Sequence, residues 1–84
     1  MYNVIVGSKA EKMLDRLPNK YYRLITTHLL SLEHNPRPFG CVKLSGLENL
    51  YRIRVGVYRV VYSIKDDMLV VEVIKIDHRR DVYR

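Results

Sequence analysis

The sequence predicts an α+β fold in which an N-terminal strand and a two-helix hairpin pack on an antiparallel β-sheet, in the order β-α-α-β-β-β. Apolar residues recur every three or four positions between residues 8 and 32, which is typical of amphipathic helices. After residue 50, apolar and charged residues alternate, which is typical of half-buried strands. The 84 residues suffice for one small core, so we predict a single domain over residues 1–84.

Local signals predict the first strand and the first helix. Residues 2–6 alternate weakly and are β-branched, which favours a strand. Ser8 followed by Glu11 matches a capping box, which predicts that a helix begins at Ser8. The apolar stripe of this helix comprises Ala10, Met13, Leu14 and Leu17.

A second helix is predicted after a break at Pro18. Because His28 stands on its apolar side, we interpret this residue as a core histidine whose hydrogen bonds are satisfied within the protein. Prolines then end the helical pattern, and residues 36–40 are predicted to form a loop. The apolar side of the second helix comprises Tyr21, Leu24, Ile25, His28, Leu29 and Leu32.

The C-terminal part is predicted to form two hairpins. Gly56 followed by Val57 reads as a two-residue loop with glycine first, as a type II′ turn requires. Residues 58–64 form the next strand, and Asp66-Asp67 marks the second turn. Residues 68–76 are nearly continuously apolar, which predicts a central strand covered on both faces for much of its length.

The first hairpin predicts a cluster of arginines. If residues 56–57 form the loop, Arg54 lies opposite Arg59, and directly opposed side chains share a face. Arg52, Arg54 and Arg59 then lie together on the face away from the helices. Like charges directly opposite each other cost stability, on the order of tenths of a kcal/mol to 1 kcal/mol. We expect either an anionic ligand that neutralises them or arginines that extend into water and serve only solubility.

The second hairpin extends this face toward the C-terminus. With an even-length loop, Ile74, Ile76 and His78 fall on the side of Arg59. A histidine exchanges protons near neutral pH, and RNA cleavage requires a base, cations on the phosphate and an acid. The alternative for His78 is an ordinary surface residue at a strand end. The polar residues that would continue this end of the face are His78, Arg79, Arg80 and Tyr83.

Composition limits the classes of partner and chemistry. The net charge of +6 favours a polyanionic partner, namely nucleic acid, an acidic protein or an anionic membrane. Cys41 is the only cysteine and cannot form an internal disulfide, which fits a reducing cytoplasm. No apolar run is long enough to span a bilayer. We find no glycine-rich phosphate loop, metal-ligand spacing or paired carboxylates, so an enzyme of this sequence is expected to need no metal or cofactor.

Three segments together resemble RelE-type toxins of bacterial and archaeal toxin–antitoxin modules, within the RelE/ParE superfamily. They read LYRIRVG at residues 50–56, YRVVY at residues 58–62 and HRRDVY at residues 78–83. Lys43-Leu44 followed by Gly46-Leu47 is also similar to the segment before the first central strand of that family. Lys43 and Arg80 are accordingly candidate RNA contacts.

The resemblance implies a ribosome-dependent endoribonuclease that cuts messenger RNA without a metal ion. The 2′-hydroxyl attacks the scissile phosphate and leaves a 2′,3′-cyclic phosphate and a 5′-hydroxyl. The resemblance also implies a cognate RelB-like antitoxin, and binding of promoter DNA only through the antitoxin complex. A face with Arg52, Arg54, Arg59, Val61 and Ile74 would suit an acidic, partly apolar antitoxin segment.

Residue roles follow from the same resemblance. Arg59 and Arg79 match positions that contact the scissile phosphate, and Tyr83 matches a tyrosine that stacks on or orients the substrate. Arg52 and Arg54 match positions where the best-known members carry lysines, one of them proposed as the general base. The pKa of arginine exceeds about 12, so arginine is a poor base at neutral pH.

Because arginines replace the lysine proposed as the general base, two alternatives stay open for proton transfer. Either His78 or Tyr83 handles the protons, or the arginines act mainly by charge stabilisation. Two other functions also stay open. One is a ParE-like toxin that inhibits gyrase, and the other is a non-catalytic basic module that binds RNA or a partner. The cluster of arginines with Tyr83 favours the RNA-cutting branch.

Overall fold

The computed structural model describes residues 1–46 and 48–79 of the chain. Within these ranges, two helices pack on a five-stranded sheet. The strands lie in the order β1-β5-β4-β3-β2, which makes β4 the central strand. The elements are β1 (Asn3–Val6), α1 (Ser8–Asp15), α2 (Asn19–Ser31), β2 (Val42–Lys43), β3 (Leu50–Val55), β4 (Tyr58–Lys65) and β5 (Val70–His78).

The predicted α+β fold is confirmed, with two differences in the sheet. β1 pairs with β5 in parallel, so the sheet is mixed rather than wholly antiparallel. β2 pairs with β3 through Val42 and Lys43 and was not predicted. A strand of two residues is too short to display the alternation by which strands are identified in a sequence.

The first helix begins at Ser8, as predicted, but it is capped differently. Ser8 is already its first residue, Gly7 is the N-cap, and no side chain makes a cap hydrogen bond, so the capping box predicted at Ser8 is wrong. The Gly7 N–H donates to the carbonyl oxygen of Val73 at 2.9 Å. A Cβ atom at Gly7 would lie 3.0 Å from that oxygen. This close approach to β5 fixes the residue at which the chain leaves β1 and enters α1.

The helices bury narrower stripes than the sequence predicts. Leu24 and His28 are exposed, so the interpretation of His28 as a core histidine is wrong. Both lie on one flank of the buried stripe of α2, because a helix advances about 100° per residue. Neither helix in the described ranges is long and apolar enough to cross a membrane. The fully packed positions of the two predicted stripes are Ala10, Leu14, Leu17, Ile25, Leu29 and Leu32.

The first hairpin has the predicted register, with Arg54 opposite Arg59 and a loop of Gly56 and Val57. Gly56 has a φ of 61°, the positive value that a type II′ turn requires at its first central position. The loop of the second hairpin covers residues 66–69. It is even in length, as predicted, but β5 begins only after it.

A β-bulge in β5 changes the second hairpin. Tyr62 pairs with Val73, whereas the preceding residue Val61 pairs with Lys75, so Ile74 is an extra residue in β5. One extra residue moves every following side chain to the opposite face of the strand. The side chains of residues 75–78 therefore lie on the opposite face of the sheet from the one predicted.

A polar cluster fastens the loop between α2 and β2 to the sheet. The Arg37 guanidinium forms two hydrogen bonds with the Asp66 carboxylate, of 2.8 and 3.2 Å. Its Nε donates to the Tyr51 hydroxyl at 3.2 Å, and the Tyr2 hydroxyl donates to Asp66 at 2.6 Å. Arg37, and to a lesser degree Tyr2, stabilise the carboxylate and lower the pKa of Asp66 to about 2.

Candidate functional site

One face of the β3–β4 hairpin carries three arginines and Val61, and we call it the arginine face. Arg54 lies opposite Arg59, and Arg52 lies opposite Val61. The predicted clustering of the three arginines is therefore confirmed. The alternating residues are buried on the helix side, also as predicted: Tyr51, Ile53, Val55, Tyr58, Val60 and Tyr62.

The three arginines differ in exposure. Arg54 is exposed and Arg52 is half-buried, but Arg59 is only 7% exposed. Arg59 lies on the face away from the helices, as the sequence predicts, but it does not extend into water because β4 is the central strand and is flanked on both sides. Partial exclusion of water strengthens the attraction between a guanidinium and a phosphate. Arg59 is thus the arginine of this face with the least competition from solvent.

Asp77 introduces an acidic group that sequence reasoning missed. It lies opposite Arg59 in the β4–β5 ladder, and its carboxylate forms an ion pair of 3.2 Å with Lys75. The bulge at Ile74 brings both residues to this side of the sheet. A signal was present in the sequence: polar residues occur at position 72 and then at 75 and 77, a change of phase in a period-two pattern.

The same bulge places His78 away from the arginine face. His78 lies opposite Tyr58, whose side chain is on the helix side. The two rings are 5.3 Å apart with an interplanar angle of 82°, an edge-to-face contact. Ile76 is 3% exposed in the core. The predicted positions of His78 and Ile76 on the face of Arg59 are therefore wrong.

The C-terminal candidates are described only in part. The Arg79 N–H donates to the carbonyl oxygen of Val57 at 2.6 Å, which brings the backbone of Arg79 to the turn of the first hairpin, and Arg79 is exposed. Arg54 and Arg59 flank that turn, so three of the predicted residues converge at one end of the hairpin. Arg80 and Tyr83 lie outside the described residues.

Lys43 does not join this group. It pairs with Tyr51, whose side chain is buried on the helix side, so Lys43 is directed to the face opposite the arginines. The other residue of β2, Val42, pairs with Arg52. Its side chain lies beside the arginine face and is 43% exposed. The candidate role of Lys43 in RNA binding therefore lacks support from proximity to the arginine cluster.

A groove of about 480 Å³ adjoins the arginine face at the edge of β3. Its walls come from the C-terminal half of α2, from the segment before β2 and from β3. Because β2 pairs only with Tyr51 and Arg52, it leaves the end of β3 uncovered on this side. Polar and aromatic lining residues are His28, Ser31, Phe39, Arg52 and Arg54.

The chemistry of the site suits an anion. Guanidinium groups bind phosphate oxygens through paired hydrogen bonds and stay protonated at neutral pH. They can stabilise negative charge, but they do not readily accept a proton. Among the residues that the structure describes, no three His, Cys, Asp or Glu side chains lie close enough to hold a metal ion.

Comparison with known families gives a match over nearly the whole chain. Residues 4–83 match the family model of the ParE toxin of the type II toxin–antitoxin system parDE. Toxin RelE of Mycobacterium tuberculosis is 37% identical over 84 residues, which cover 99% of this chain and 87% of that relative.

Solved structures agree with the sequence comparisons. The RelE–RelB complex of the archaeon Pyrococcus horikoshii contains a chain that superposes with a TM-score of 0.84 and is 35% identical, covering 93% of this chain and 94% of that one. The intact RelBE toxin–antitoxin complex of E. coli contains another, with a TM-score of 0.82 and 26% identity, covering 93% and 96%.

Proposed function

The chain belongs to the RelE/ParE superfamily of toxins of type II toxin–antitoxin systems, and we propose that it is a ribosome-dependent endoribonuclease that cuts messenger RNA. The observation that carries this proposal is the arginine face. Arg54 and Arg59 lie directly opposite each other, although like charges at directly opposed positions destabilise a hairpin. A phosphate held between them would remove that repulsion.

The proposed reaction is an internal transfer at phosphorus. The 2′-oxygen of one nucleotide attacks the neighbouring phosphate, and the bond to the 5′-oxygen of the next nucleotide breaks. The products are a 2′,3′-cyclic phosphate and a 5′-hydroxyl. Negative charge grows on the phosphoryl oxygens during this step, and Arg59 and Arg79 stabilise it by charge-assisted hydrogen bonds. Arg52 and Arg54 hold the phosphate backbone on either side.

Proton transfer is assigned to a group other than arginine. His78 is a weak candidate, because its ring packs against Tyr58 on the opposite side of the sheet from Arg59. Tyr83 is the remaining one of the two candidate proton carriers, and the resemblance alternatively implies that its ring stacks on or orients the substrate. Stabilisation of the developing negative charge by the arginines accounts for the part of the rate enhancement of RNA cleavage that proton transfer does not supply.

A cognate RelB-like antitoxin is the proposed partner. The similar proteins of P. horikoshii and E. coli are found in complexes with RelB-type antitoxins. An acidic and partly apolar segment would neutralise Arg52 and Arg54 and cover Ile74, which is 36% exposed. Promoter DNA would be bound only by the complex with the antitoxin, and a toxin that acts on ribosomes would work in the cytoplasm.

Product mapping in a purified translation system tests the proposal. A defined message is translated with the wild-type protein and with the Arg79→Ala variant, and the 5′ ends of the RNA are mapped. We expect cuts at a fixed phase within codons, 5′-hydroxyl ends, and no cuts with the variant or without ribosomes. Cleavage of free RNA at the same rate would contradict the dependence on the ribosome.

The match to the ParE family model favours one alternative, inhibition of DNA gyrase. A supercoiling assay with purified gyrase separates the two functions. Intact message combined with blocked supercoiling would replace the nuclease proposal by the gyrase alternative, whereas cut message with normal supercoiling would reject that alternative.

A further inference from the structure

Phe39 is the only phenylalanine of the chain and its side chain is fully exposed. It lines the groove beside the arginine face together with Arg52 and Arg54. A phenyl ring in water forfeits the burial that usually stabilises such a side chain. In a chain this small, an aromatic ring displayed next to two cations calls for a ligand with both a flat apolar surface and negative charge.

The loop holds Phe39 in this exposed position. The Cys41 N–H donates to the carbonyl oxygen of Pro38 at 3.0 Å, which closes a tight turn with Phe39 and Gly40 at its centre. Gly40 has a φ of 93°, the positive value that a type II turn requires at its third position. The backbone is also anchored just before the turn, since the Tyr62 hydroxyl donates to the carbonyl oxygen of Pro36 at 2.8 Å.

Arg37 adds a second anchor through its ion pair with Asp66 and its hydrogen bond to Tyr51. The turn that presents the ring of Phe39 is thus anchored before it at Pro36 and Arg37, and after it the chain joins the sheet where Val42 pairs with Arg52. A preorganised aromatic ring binds a flat ligand with little loss of conformational entropy. A ring held rigidly in this way is well suited to stack on a flat ligand.

We infer that this groove is a nucleotide subsite for single-stranded RNA, in which Phe39 stacks on an unpaired base while Arg52 and Arg54 bind the adjoining phosphates. Aromatic rings next to cationic grooves bind single strands in this way, because every base offers a flat face for stacking. No acidic residue lines the groove among the residues that the structure describes. His28 and Ser31 on the α2 wall supply groups that can form hydrogen bonds with a base edge.

The size and position of the groove fit this occupant. Its volume of about 480 Å³ lies within the range of sites that enclose small ligands, roughly 300–1,000 Å³. Arg52 and Arg54 belong both to the groove and to the arginine face, so one strand of RNA can cross from one to the other. The inference rests on the proposed function, since it extends the path of the RNA beyond the phosphate that is cut.

The absence of tryptophan from the chain allows a direct test. In the Phe39→Trp variant, stacking of a base on the indole should quench its fluorescence. The probe is a single-stranded 2′-O-methyl RNA oligonucleotide, which lacks the attacking hydroxyl. The matched control is Met68→Trp, at another exposed apolar position in the β4–β5 turn. We expect saturable quenching in the first variant, loss of quenching when Arg52→Ala is added, and no change in the control.

Binding of a labelled copy of the same RNA gives the second measurement. Phe39→Ala should weaken binding roughly 5- to 150-fold, the range that loss of one base–aromatic stack covers. The variant should fold normally because the ring is fully exposed. Unquenched Phe39→Trp fluorescence with bound RNA, or no binding at all, would overturn the subsite. Quenching by polyglutamate but not by RNA would overturn it in favour of an acidic peptide.

The translation assay separates this inference from the proposed function. If Phe39→Ala and wild-type protein cut the message equally well at limiting concentration, the toxin is a nuclease but the groove is not its nucleotide subsite. If the wild type cuts nothing and the Phe39→Trp variant is still quenched by RNA, the subsite stands and the nuclease proposal fails.

Discussion

Asp77 lies directly opposite Arg59 across the β4–β5 ladder, and this pairing depends on a single extra residue in β5. Without the bulge at Ile74, the partner of Arg59 would be a different residue and Asp77 would point to the helix side. The bulge thus places one carboxylate beside a cluster of cations. Its charge offsets part of the repulsion between Arg54 and Arg59, and it also competes with an incoming phosphate.

The first prediction concerns this balance. Asp77→Asn should lower the free energy of unfolding by tenths of a kcal/mol to about 1 kcal/mol, because the ion pair with Lys75 and the opposite charge beside Arg59 are both lost. The same change should tighten RNA binding and steepen its dependence on salt, because the face becomes more positive. Urea unfolding and binding at several salt concentrations measure the two effects. Glu72→Gln is the control, since Glu72 pairs with Ser63 farther along the strand. Equal effects of both variants would contradict a local role for Asp77.

The second prediction concerns the repulsion between Arg54 and Arg59. Replacing the exposed Arg54 by threonine, a good strand former, should stabilise the hairpin by tenths of a kcal/mol to about 1 kcal/mol. Cleavage of message should fall at the same time, because a cation on the phosphate backbone is lost. Arg52→Thr is the matched control, because Arg52 lies opposite Val61 and relieves no like-charge pair. Thermal unfolding and product yield together test the trade-off. A destabilised Arg54→Thr would refute it.

The third prediction separates the structural and chemical roles of Arg59. Because this side chain is 7% exposed, Arg59→Ala should destabilise the fold by about 1–3 kcal/mol through lost packing as well as abolish cleavage. Arg59→Lys should keep most of the stability, yet cut poorly, since a lysine cannot make paired hydrogen bonds to phosphate. Arg79→Ala, at an exposed position, should lose cleavage with normal stability. Urea midpoints and mapped 5′ ends distinguish the three variants, and full activity of Arg59→Lys would show that charge alone suffices.

These residues also show what the sequence can and cannot specify. The register of the first hairpin follows from two adjacent residues, because Gly56 followed by the β-branched Val57 favours a type II′ turn and the strands then pair from it. The bulge in β5 follows from no single residue type. It is set by how β5 fits between β4 and β1, and its only local trace is the change of phase between Glu72 and Lys75.

Long-range contacts could not be predicted from the sequence either, because they too leave no local pattern. The ion pair of Arg37 with Asp66 joins residues 29 positions apart, and neither has a local pattern that would identify its partner. The sequence predicts only that Phe39 lies in a loop, because the exposure of its ring depends on how that loop is anchored. The arginine face could be predicted, whereas the groove beside it required the fold.

The fourth prediction follows from the ion pair of Asp66 with Arg37. Arg37 lowers the folded-state pKa of Asp66 to about 2, below the ordinary value of 3.8 for an aspartate. A lowered pKa contributes stability above the unfolded value, and this contribution is lost as the pH falls toward the folded value. Wild-type protein should therefore lose stability between about pH 4 and pH 2, and Asp66→Asn should show a flatter profile. Urea midpoints across this range test it. Asp67→Asn is the control, because Asp67 forms no ion pair with a described residue. If the stability of Asp67→Asn varied as little with pH as that of Asp66→Asn, the pH dependence could not be assigned to Asp66.

The fifth prediction concerns His78 and the identity of the proton carrier. Because its ring contacts Tyr58 on the helix side, His78→Gln should leave the shape of the pH–rate profile unchanged and lower the rate only through any loss of folded protein. Tyr83→Phe removes a hydroxyl but keeps an aromatic ring, so it should alter the profile if Tyr83 carries the proton and leave it intact if the ring only stacks. Single-turnover cleavage on programmed ribosomes between about pH 5 and pH 9 measures both variants across the range in which a histidine titrates. If His78→Gln lost one limb of the pH–rate profile, His78 would be the proton carrier. The end of β5 would then have to turn toward the arginine face when RNA binds.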